Sequence, residues 1–458
     1  MSTNSETSLA FAIPAFSLEP LKGPAAEDRY LVTLQETNRN LVVTPKLAAL
    51  LSILNQGLSL DETAARLSSE YGRPLTVDDV TFIIERQMLP KGLAYRTRRG
   101  HLQNLQRGRV IQKDSLGKRL LAGTFRFRLV PTAVVERICA PLSPAYDWVC
   151  ILLALILVGS TRWLLYTNMD WVYYRQSLLR MNSLEYLLDI GLLTLIVLLH
   201  ELGHATAQLR MGIPPGHIGF QLYYYIPTLF ANVDGSWRLP PRRRAVVDLG
   251  GVYFQSIAAS LLYLIYLKIH STPMIAAVLS SDLLTIVALN PFLKFDGYWL
   301  LSDVLAVPNL DSESRKLRRH YWRKLWRSGP GQKPRLALSS IRKIAVALYS
   351  ALRQAFWIWL TYAFLRGVPR FATSARSIVE KLSSRSLTGI RTQDPAMIFA
   401  AILQFILFAL LLLTIGTFLL QMTIGTANAV REIVGAGLGR RKGAPVPNEK
   451  RIGIEERI

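Results

Sequence analysis

The chain has 458 residues, of which 50% are apolar and 19% are charged, and its mean hydropathy is +0.24. An average soluble domain has roughly 25% charged residues, so this apolar content requires a lipid environment or a very large protein core. Collagen-like, disulfide-scaffold and wholly disordered proteins are excluded, and the two cysteines, Cys139 and Cys150, provide no disulfide framework. Residues 1–90 hold eleven acidic and seven basic residues, a net charge of −4, whereas the whole chain carries +23. An acidic N-terminal region therefore precedes a basic, apolar remainder.

Apolar stretches after residue 145 predict six membrane spans. The first, from Trp148 to about Tyr166, has no acidic residue and one Arg, and it is long enough to cross ~30 Å of hydrocarbon as a helix. We expect no cleavable secretory signal before it, because the first 90 residues are mixed polar and begin without a basic segment. The other five stretches are about Leu184–Leu209, Ala245–Leu267, Pro273–Leu305 with a break near Asn290, Ile344–Leu365 and Met397–Met422.

The distribution of Lys and Arg predicts the orientation of these spans, because basic loops stay on the cytoplasmic side. Ten basic residues lie between Arg96 and Arg128, and eleven lie between Asp311 and Lys343. With Arg242–Arg244 and the Arg440–Lys442 tail, they place both termini of a multi-pass cell-membrane protein in the cytoplasm. The predicted outer loop Gly367–Pro395 also carries Arg and Lys and conflicts with this rule. We interpret the basic runs as contacts with anionic lipid headgroups rather than with nucleic acid, because they adjoin spans.

The second span contains the motif His200-Glu201-Leu202-Gly203-His204. Residues i and i+4 share one face of a helix, so both imidazoles can approach one Zn²⁺, and the adjacent Glu201 is placed to take a proton from a water held there. The alternative is a helix with two buried, hydrogen-bonded histidines and no metal. Because His and Glu are costly inside a lipid-spanning helix, the location favours a functional site. The motif therefore predicts a zinc hydrolase.

A catalytic zinc needs a third protein ligand and an open position for water. The candidate is Asp296, in the segment that begins with Asn290-Pro291. Pro291 must interrupt the helix, and broken helices at membrane depth occur where they line a cavity. Asp296 could instead cap an interfacial helix. Asn290 could donate its amide to a substrate carbonyl or to the developing oxyanion, or it could be only a turn residue before Pro.

These motifs together resemble the site-2 protease family of intramembrane zinc metalloproteases, and more closely its bacterial members described as peptide zinc metalloproteases. The resemblance covers about Trp148–Asp303 and rests on the His-Glu-x-x-His motif in one span, Asn-Pro-x-x-x-x-Asp-Gly in another, and a Gly-rich third span. It implies that zinc is bound by His200, His204 and Asp296, and that Glu201 is the general base. Many members have Gly-Pro and a nearby Asn in the third span. This chain has Gly250, Gly251 and Gln255 there instead, so the roles of these three stay open.

Between the second and third spans, aromatic and β-branched residues predict a hairpin. These residues lie in Gly219–Ile226 and Phe230–Val233, before an Asp234-Gly235 turn, and at Trp237 after it. An open strand edge could hold an extended substrate by β-augmentation; the alternative is an interfacial aromatic belt. His217 could reach a metal or could be an ordinary loop residue.

The acidic N-terminal region predicts a small α+β unit. Tyr30–Leu34 and Asn40–Val43 read as strands, and Thr44-Pro45 starts a helix to about Leu54. Capping boxes at Ser59 and Thr76 begin two more helices, to Tyr71 and about Met88. An acidic winged-helix-like unit would repel phosphates. Over about Glu27–Leu93 it resembles instead the RiPP recognition element, the pyrroloquinoline-quinone peptide chaperone type of domain, which implies binding of a precursor's leader peptide. A purely structural appendage is the alternative.

The predicted fold is thus an α-helical polytopic membrane protein with a site-2-protease core and a small N-terminal domain. We expect a zinc endopeptidase that cleaves peptide bonds in or near the bilayer, in a membrane protein or a leader-bearing precursor. The rivals are a non-proteolytic membrane peptide-binding or export component and a zinc-permeation protein. Asp189 and Asp282 could orient the imidazoles or pair with a basic residue. The predicted parts are a flexible N-terminus at 1–26, the winged-helix-like domain at 27–95, a basic linker at 96–145, the protease core at 146–305 with the hairpin at 214–240, a basic cytoplasmic loop at 306–343, two spans at 344–424 and a basic tail at 425–458.

Overall fold

The computed structural model forms two compact units. One consists of Met1–Asp114 with Trp237–Pro241 and Arg440–Ile458, and the other of Ser115–Ser236 with Arg242–Gly439. The residues that the structure describes are 11–21, 29–34, 39–71, 74–96, 126–223, 226–307, 310–315, 317–318, 340–392, 395, 397–399, 401–406, 408–410, 412–417 and 454–455. Most of the predicted basic segments, at 97–125, 319–339 and 440–442, lie outside these residues.

The first unit is a small antiparallel sheet packed with three short helices. Its elements are β1 Phe11–Ala12, β2 Phe16–Pro20, β3 Tyr30–Leu34, β4 Arg39–Val43, α1 Pro45–Leu54, α2 Leu60–Tyr71, α3 Val77–Ile83 with a π-helical continuation Ile84–Met88, β5 Tyr95–Arg96 and β9 Ile454–Glu455. Strand β3 pairs with both β2 and β4, and β9 continues the sheet beyond β4. The apolar core of the unit is continuous from the strands into the helices.

The local signals of this unit are confirmed, and one boundary is wrong. The Glu62 backbone N–H donates to the Ser59 hydroxyl at 3.2 Å, and Thr76 forms a full capping box with Asp79. The predicted flexible N-terminus, 1–26, is not uniformly flexible, because β2 pairs with β3 along its whole length. No sequence signal near β2 predicts that this segment pairs with β3 as a strand.

The second unit is mostly helical. Its helices are α4 Thr132–Leu142, α5 Trp148–Asn168, α6 Trp171–Arg180, α7 Ser183–Arg210, α8 Pro241–Ile269, α9 Thr272–Ala288, α10 Asp296–Val304, α11 Ser340–Thr392 and α12 Met397–Thr417. Among the described residues, five of these are long and apolar enough to cross a membrane: α5, α7, α8, the Ile341–Gly367 part of α11, and α12. These five helices indicate a helical membrane protein.

The predicted fourth span differs from these five. It consists of the 17-residue helix α9 and the short helix α10, separated at 289–295. Asn290-Pro291 lies in that break, as expected from the missing N–H of proline. The predicted loop Gly367–Pro395 is wrong for most of its length, since α11 continues as helix to Thr392. Gly367 and Pro369 lie within this helix and do not end it.

A three-stranded antiparallel sheet adjoins the helices, with the order β6-β7-β8 and the strands β6 Arg126–Val130, β7 Ile218–Tyr223 and β8 Ile226–Ala231. Strand β6 precedes α5 and β7 follows α7, so two crossings by α5 and α7 would return the chain to the side of the membrane that β6 occupies.

The predicted linker 96–145 contains ordered structure, namely β6 and α4. The predicted hairpin exists, but its strands are β7 and β8, with Tyr223 paired to Ile226. Asp234-Gly235 instead begins a 3₁₀ helix.

Ion pairs connect the helices of this unit. Arg162 on α5 donates from Nε to Asp282 Oδ1 on α9 at 2.9 Å, and the Tyr166 hydroxyl donates to Asp282 Oδ2 at 3.0 Å. Asp282 is therefore committed to a basic partner and not to an imidazole. Arg244 donates from Nε to Asp303 Oδ1 at 2.9 Å, with both side chains almost fully buried. The prediction that Arg244 contacts lipid headgroups is wrong, because this ion pair compensates its charge inside the protein.

Candidate metal centre

Three predicted ligand residues converge on one point. His200 and His204 lie one turn apart on α7, and Asp296 is the first residue of α10. His200 Nε2 lies 3.1 Å from His204 Nε2 and 3.1 Å from Asp296 Oδ2, and His204 Nε2 lies 3.5 Å from Asp296 Oδ2. Both histidines are buried. Residues 96 positions apart in the chain thus present two nitrogens and one oxygen to a common point.

The second ring nitrogen of each histidine faces an oxygen atom. His204 Nδ1 lies 2.8 Å from the Val247 carbonyl oxygen, and His200 Nδ1 lies 2.6 Å from Gln255 Oε1. A carbonyl oxygen only accepts hydrogen bonds, so His204 carries its hydrogen on Nδ1. The Nε2 lone pair of His204 is then directed at the convergence point.

This donor set fits a zinc ion. Two nitrogens and one carboxylate oxygen are ordinary zinc ligands, and ligand atoms about 2.0–2.1 Å from a tetrahedral zinc lie roughly 3.3 Å apart. The measured separations of 3.1–3.5 Å bracket that value. Gly251 on α8 leaves the adjoining space open, because a Cβ there would lie 2.4 Å from His204 Nε2 and 2.5 Å from His200 Nε2. His200, His204 and Asp296 can therefore hold a metal, and a side chain at position 251 would intrude on their ligand atoms.

Helices α7 and α8 meet closely beside this point. A Cβ at Gly203 would lie 2.2 Å from the Gly250 carbonyl oxygen, so only glycine permits the observed contact. The Tyr146 hydroxyl donates to the Gly203 carbonyl at 2.8 Å and to the Gly250 carbonyl at 3.4 Å. Burial raises the pKa of the Tyr146 hydroxyl above its usual value, so the group stays protonated and continues to donate. The contact brings α8 against the histidine face of α7.

The break between α9 and α10 positions Asp296. Asn290 Oδ1 accepts a hydrogen bond from the Phe292 backbone N–H at 2.9 Å, which closes a turn around Pro291. The next residue after Asp296 is Gly297, where a Cβ would lie 2.1 Å from the Leu289 carbonyl oxygen. The segment between the helices folds back tightly, and this places the Asp296 carboxylate opposite α7.

Glu201 lies beside the ligands in sequence and contacts the sheet. Its Oε2 accepts a hydrogen bond from the Ala231 backbone N–H of β8 at 2.6 Å. The neighbouring Asn232 N–H donates to the His217 carbonyl on the β7 side, so the Ala231 N–H points away from β7. Strand β8 thus presents its outer edge to the helix that carries the histidines.

Two other predicted positions make local contacts. The amide oxygen of Asn290 is used in its own turn. His217 packs edge-on against Phe230, with ring centroids 5.6 Å apart, and is outside the group of metal-ligand side chains found among the described residues.

The sequence pattern did not predict that Val247, Gly251 and Gln255 lie against the two imidazoles. These residues follow one another at intervals of four on α8, so they form one stripe, and that stripe faces the two imidazoles. A buried amide four residues after a glycine, in an otherwise apolar span, is the signal that was available. The identity of the facing helix was not available from spacing alone.

Comparison with known proteins shows a similarity over part of the chain. Over 129 residues, the chain is 30% identical to the Bacillus subtilis (strain 168) protein named "Putative peptide zinc metalloprotease protein YydH". The match covers 27% of this chain and 49% of the relative, so the chain spans about half the length of the curated relative that it matches. No protein-family model and no solved structure matches the chain.

Proposed function

We propose that this protein is a membrane-embedded zinc endopeptidase of the site-2 protease type. The observation that carries the proposal is the convergence of His200 Nε2, His204 Nε2 and Asp296 Oδ2 within 3.5 Å of one another. The two histidines lie on an apolar helix that also carries Glu201. His200, His204 and Asp296 would hold the metal. Zinc supplies a Lewis acid for the scissile carbonyl and lowers the pKa of a bound water.

Glu201 is the general base of this proposal. A carboxylate next to the first histidine of the motif can take the proton from the attacking water and pass it to the leaving nitrogen. The Ala231 N–H holds one carboxylate oxygen at 2.6 Å, which leaves the other oxygen for proton transfer. Asn290 retains its proposed donor role toward the oxyanion only through Nδ2, because Oδ1 accepts from Phe292.

The outer edge of β8 is the proposed place for the substrate. A protease needs an extended peptide, and an unpaired strand edge supplies main-chain partners for it. Since the Ala231 N–H points outward and strand geometry repeats every two residues, the Leu229 N–H also points outward. Pro227 has no N–H, so it ends the row of donors. Because the Ala231 N–H already donates to Glu201, the substrate strand would pair with the Leu229 N–H, close to Glu201 and only over a few residues.

The N-terminal unit is proposed to capture the substrate, as its resemblance to the RiPP recognition element implies. A leader peptide held there would raise the local concentration of its attached precursor at the metal centre. This proposal places both termini and the β6-β7-β8 sheet on the cytoplasmic side. It is supported by the basic residues that adjoin the spans.

Metal analysis and peptide hydrolysis on the purified full-length protein test the proposed function. The wild type should contain about one zinc per chain, and His200→Ala and His204→Ala should contain almost none. Glu201→Gln is the matched control: it should keep its zinc and lose hydrolysis, because Glu201 is assigned proton transfer only. Unchanged zinc content in both histidine variants would refute the metal site. Hydrolysis by Glu201→Gln at the wild-type rate would refute the role of the base.

A further inference from the structure

We infer that Gln255 is a positioning residue that sets the tautomer and ring orientation of His200. The inference rests on the proposed metal site. Gln255 lies on α8, opposite the first histidine, with its Oε1 2.6 Å from His200 Nδ1. The sequence leaves the role of Gln255 open, since the related proteins that the chain resembles have a different residue pattern in this span.

The oxygen and nitrogen of the Gln255 amide are distinguished by their partners on α9. Gln255 Nε2 lies 2.8 Å from the Ser281 carbonyl oxygen and 3.0 Å from Thr285 Oγ1. The Ser281 carbonyl can only accept. The Thr285 hydroxyl donates its hydrogen to that same carbonyl at 3.1 Å, so toward Gln255 it also accepts. Two acceptors therefore face this amide atom, and it must be the NH₂ group.

The orientation of the amide determines the tautomer of His200. With Nε2 of Gln255 directed at α9, its Oε1 faces His200 and can only accept. His200 must then carry its hydrogen on Nδ1, and its Nε2 lone pair points to His204 Nε2 and Asp296 Oδ2. Histidine ligands generally donate their second N–H to such an acceptor, which fixes the ring and strengthens the ligand.

Because Gln255 is buried, water cannot readily take its place as the hydrogen-bond acceptor of His200 Nδ1. Gln255 is 2% exposed and Ser281 is 1% exposed, so no bulk water reaches the His200 Nδ1 side of the ring. His204 has a backbone carbonyl, that of Val247, in the equivalent position. Substitution of Gln255 can thus alter the orientation of His200 while all three ligand residues stay in the protein. It also ties α7 to α9 through α8.

Zinc affinity of full-length protein, measured by competition with a chelator in detergent or lipid nanodiscs, tests this role. Gln255→Met keeps the length and approximate volume of the side chain but removes the acceptor. We expect its zinc affinity to fall about 10–100-fold. Gln255→Glu keeps an acceptor oxygen for His200 and should bind zinc more tightly than Gln255→Met. A residue that only fills space would give the opposite order, because Met matches the apolar packing better than a buried carboxylate. That order, or an unchanged affinity in Gln255→Met, would overturn the inference.

A second measurement does not depend on how well the variants fold. Solid-state ¹⁵N spectra of zinc-loaded wild type with labelled histidines should show two zinc-bound imidazoles, each with its hydrogen on Nδ1 and its metal on Nε2. A zinc-bound imidazole ligated through Nδ1 would overturn the tautomer assignment. Failure of the wild type to bind zinc would instead refute the proposed function, so the two failures are distinguishable.

Discussion

Replacing Gly251 by alanine should remove the metal site without removing any ligand. The added Cβ would lie 2.4 Å from His204 Nε2 and 2.5 Å from His200 Nε2, whereas non-bonded heavy atoms prefer about 3.5–4.0 Å. One of the groups must therefore move by roughly 1 Å. The imidazoles are held by Val247 and Gln255, and α8 is held against α7 by the close contact at the preceding residue, Gly250.

The size of the effect follows from these constraints. A functional zinc site tolerates ligand displacements of only about 0.2 Å, so a shift of roughly 1 Å should weaken zinc binding by at least about 100-fold. Overpacking a well-packed interior costs about 1–3 kcal/mol, so the free energy of unfolding should fall by that amount and the protein should still fold. Chelator competition measures the first quantity, and unfolding in detergent measures the second.

Gly191→Ala on α7 is the matched control. A Cβ at Gly191 would meet nothing within 4 Å, and alanine favours a helix over glycine by about 1 kcal/mol. This variant should bind zinc like the wild type and should be at least as stable. Wild-type zinc affinity in Gly251→Ala would contradict the geometry of the site, because the Cβ would then have found room that the structure does not contain.

Three further predictions concern stability, orientation and substrate capture. Arg244→Met should lower the free energy of unfolding by about 3–5 kcal/mol, because it leaves the buried carboxylate of Asp303 without its ion pair; Arg243→Met, at an exposed position, should change it by less than about 0.5 kcal/mol. In a cysteine-free background, Arg238→Cys should react with impermeant thiol reagents from the cytoplasmic side, and labelling from the outer side would invert the proposed orientation. Deleting residues 1–95 should raise the KM for a full-length precursor and leave kcat and the cleavage of a leaderless peptide nearly unchanged; an unaltered KM in a folded, zinc-loaded protein would exclude substrate capture by the N-terminal unit.

Local patterns in the sequence predicted those parts of the structure that depend on neighbouring residues. The four-residue spacing of His200 and His204 places both rings on one helical face whatever the helix packs against. The Ser59 and Thr76 capping boxes are equally local, since donor and acceptor lie three residues apart. Asp296 was within reach because Pro291 imposes a helix break by its own covalent structure.

Tertiary structure decided which groups meet across helices. Gly251 and Gln255 contact the histidines only because α8 packs on α7 through the Gly203–Gly250 contact, and one helix's sequence does not state which helix it faces. Arg244 looked like one of three equivalent basic residues until Asp303, 59 residues later, was found as its partner. Strand pairing explains the remaining difference: β7 and β8 pair from Ile218 with Ala231 to Tyr223 with Ile226, so Asp234-Gly235 follows the paired residues and does not lie between the strands.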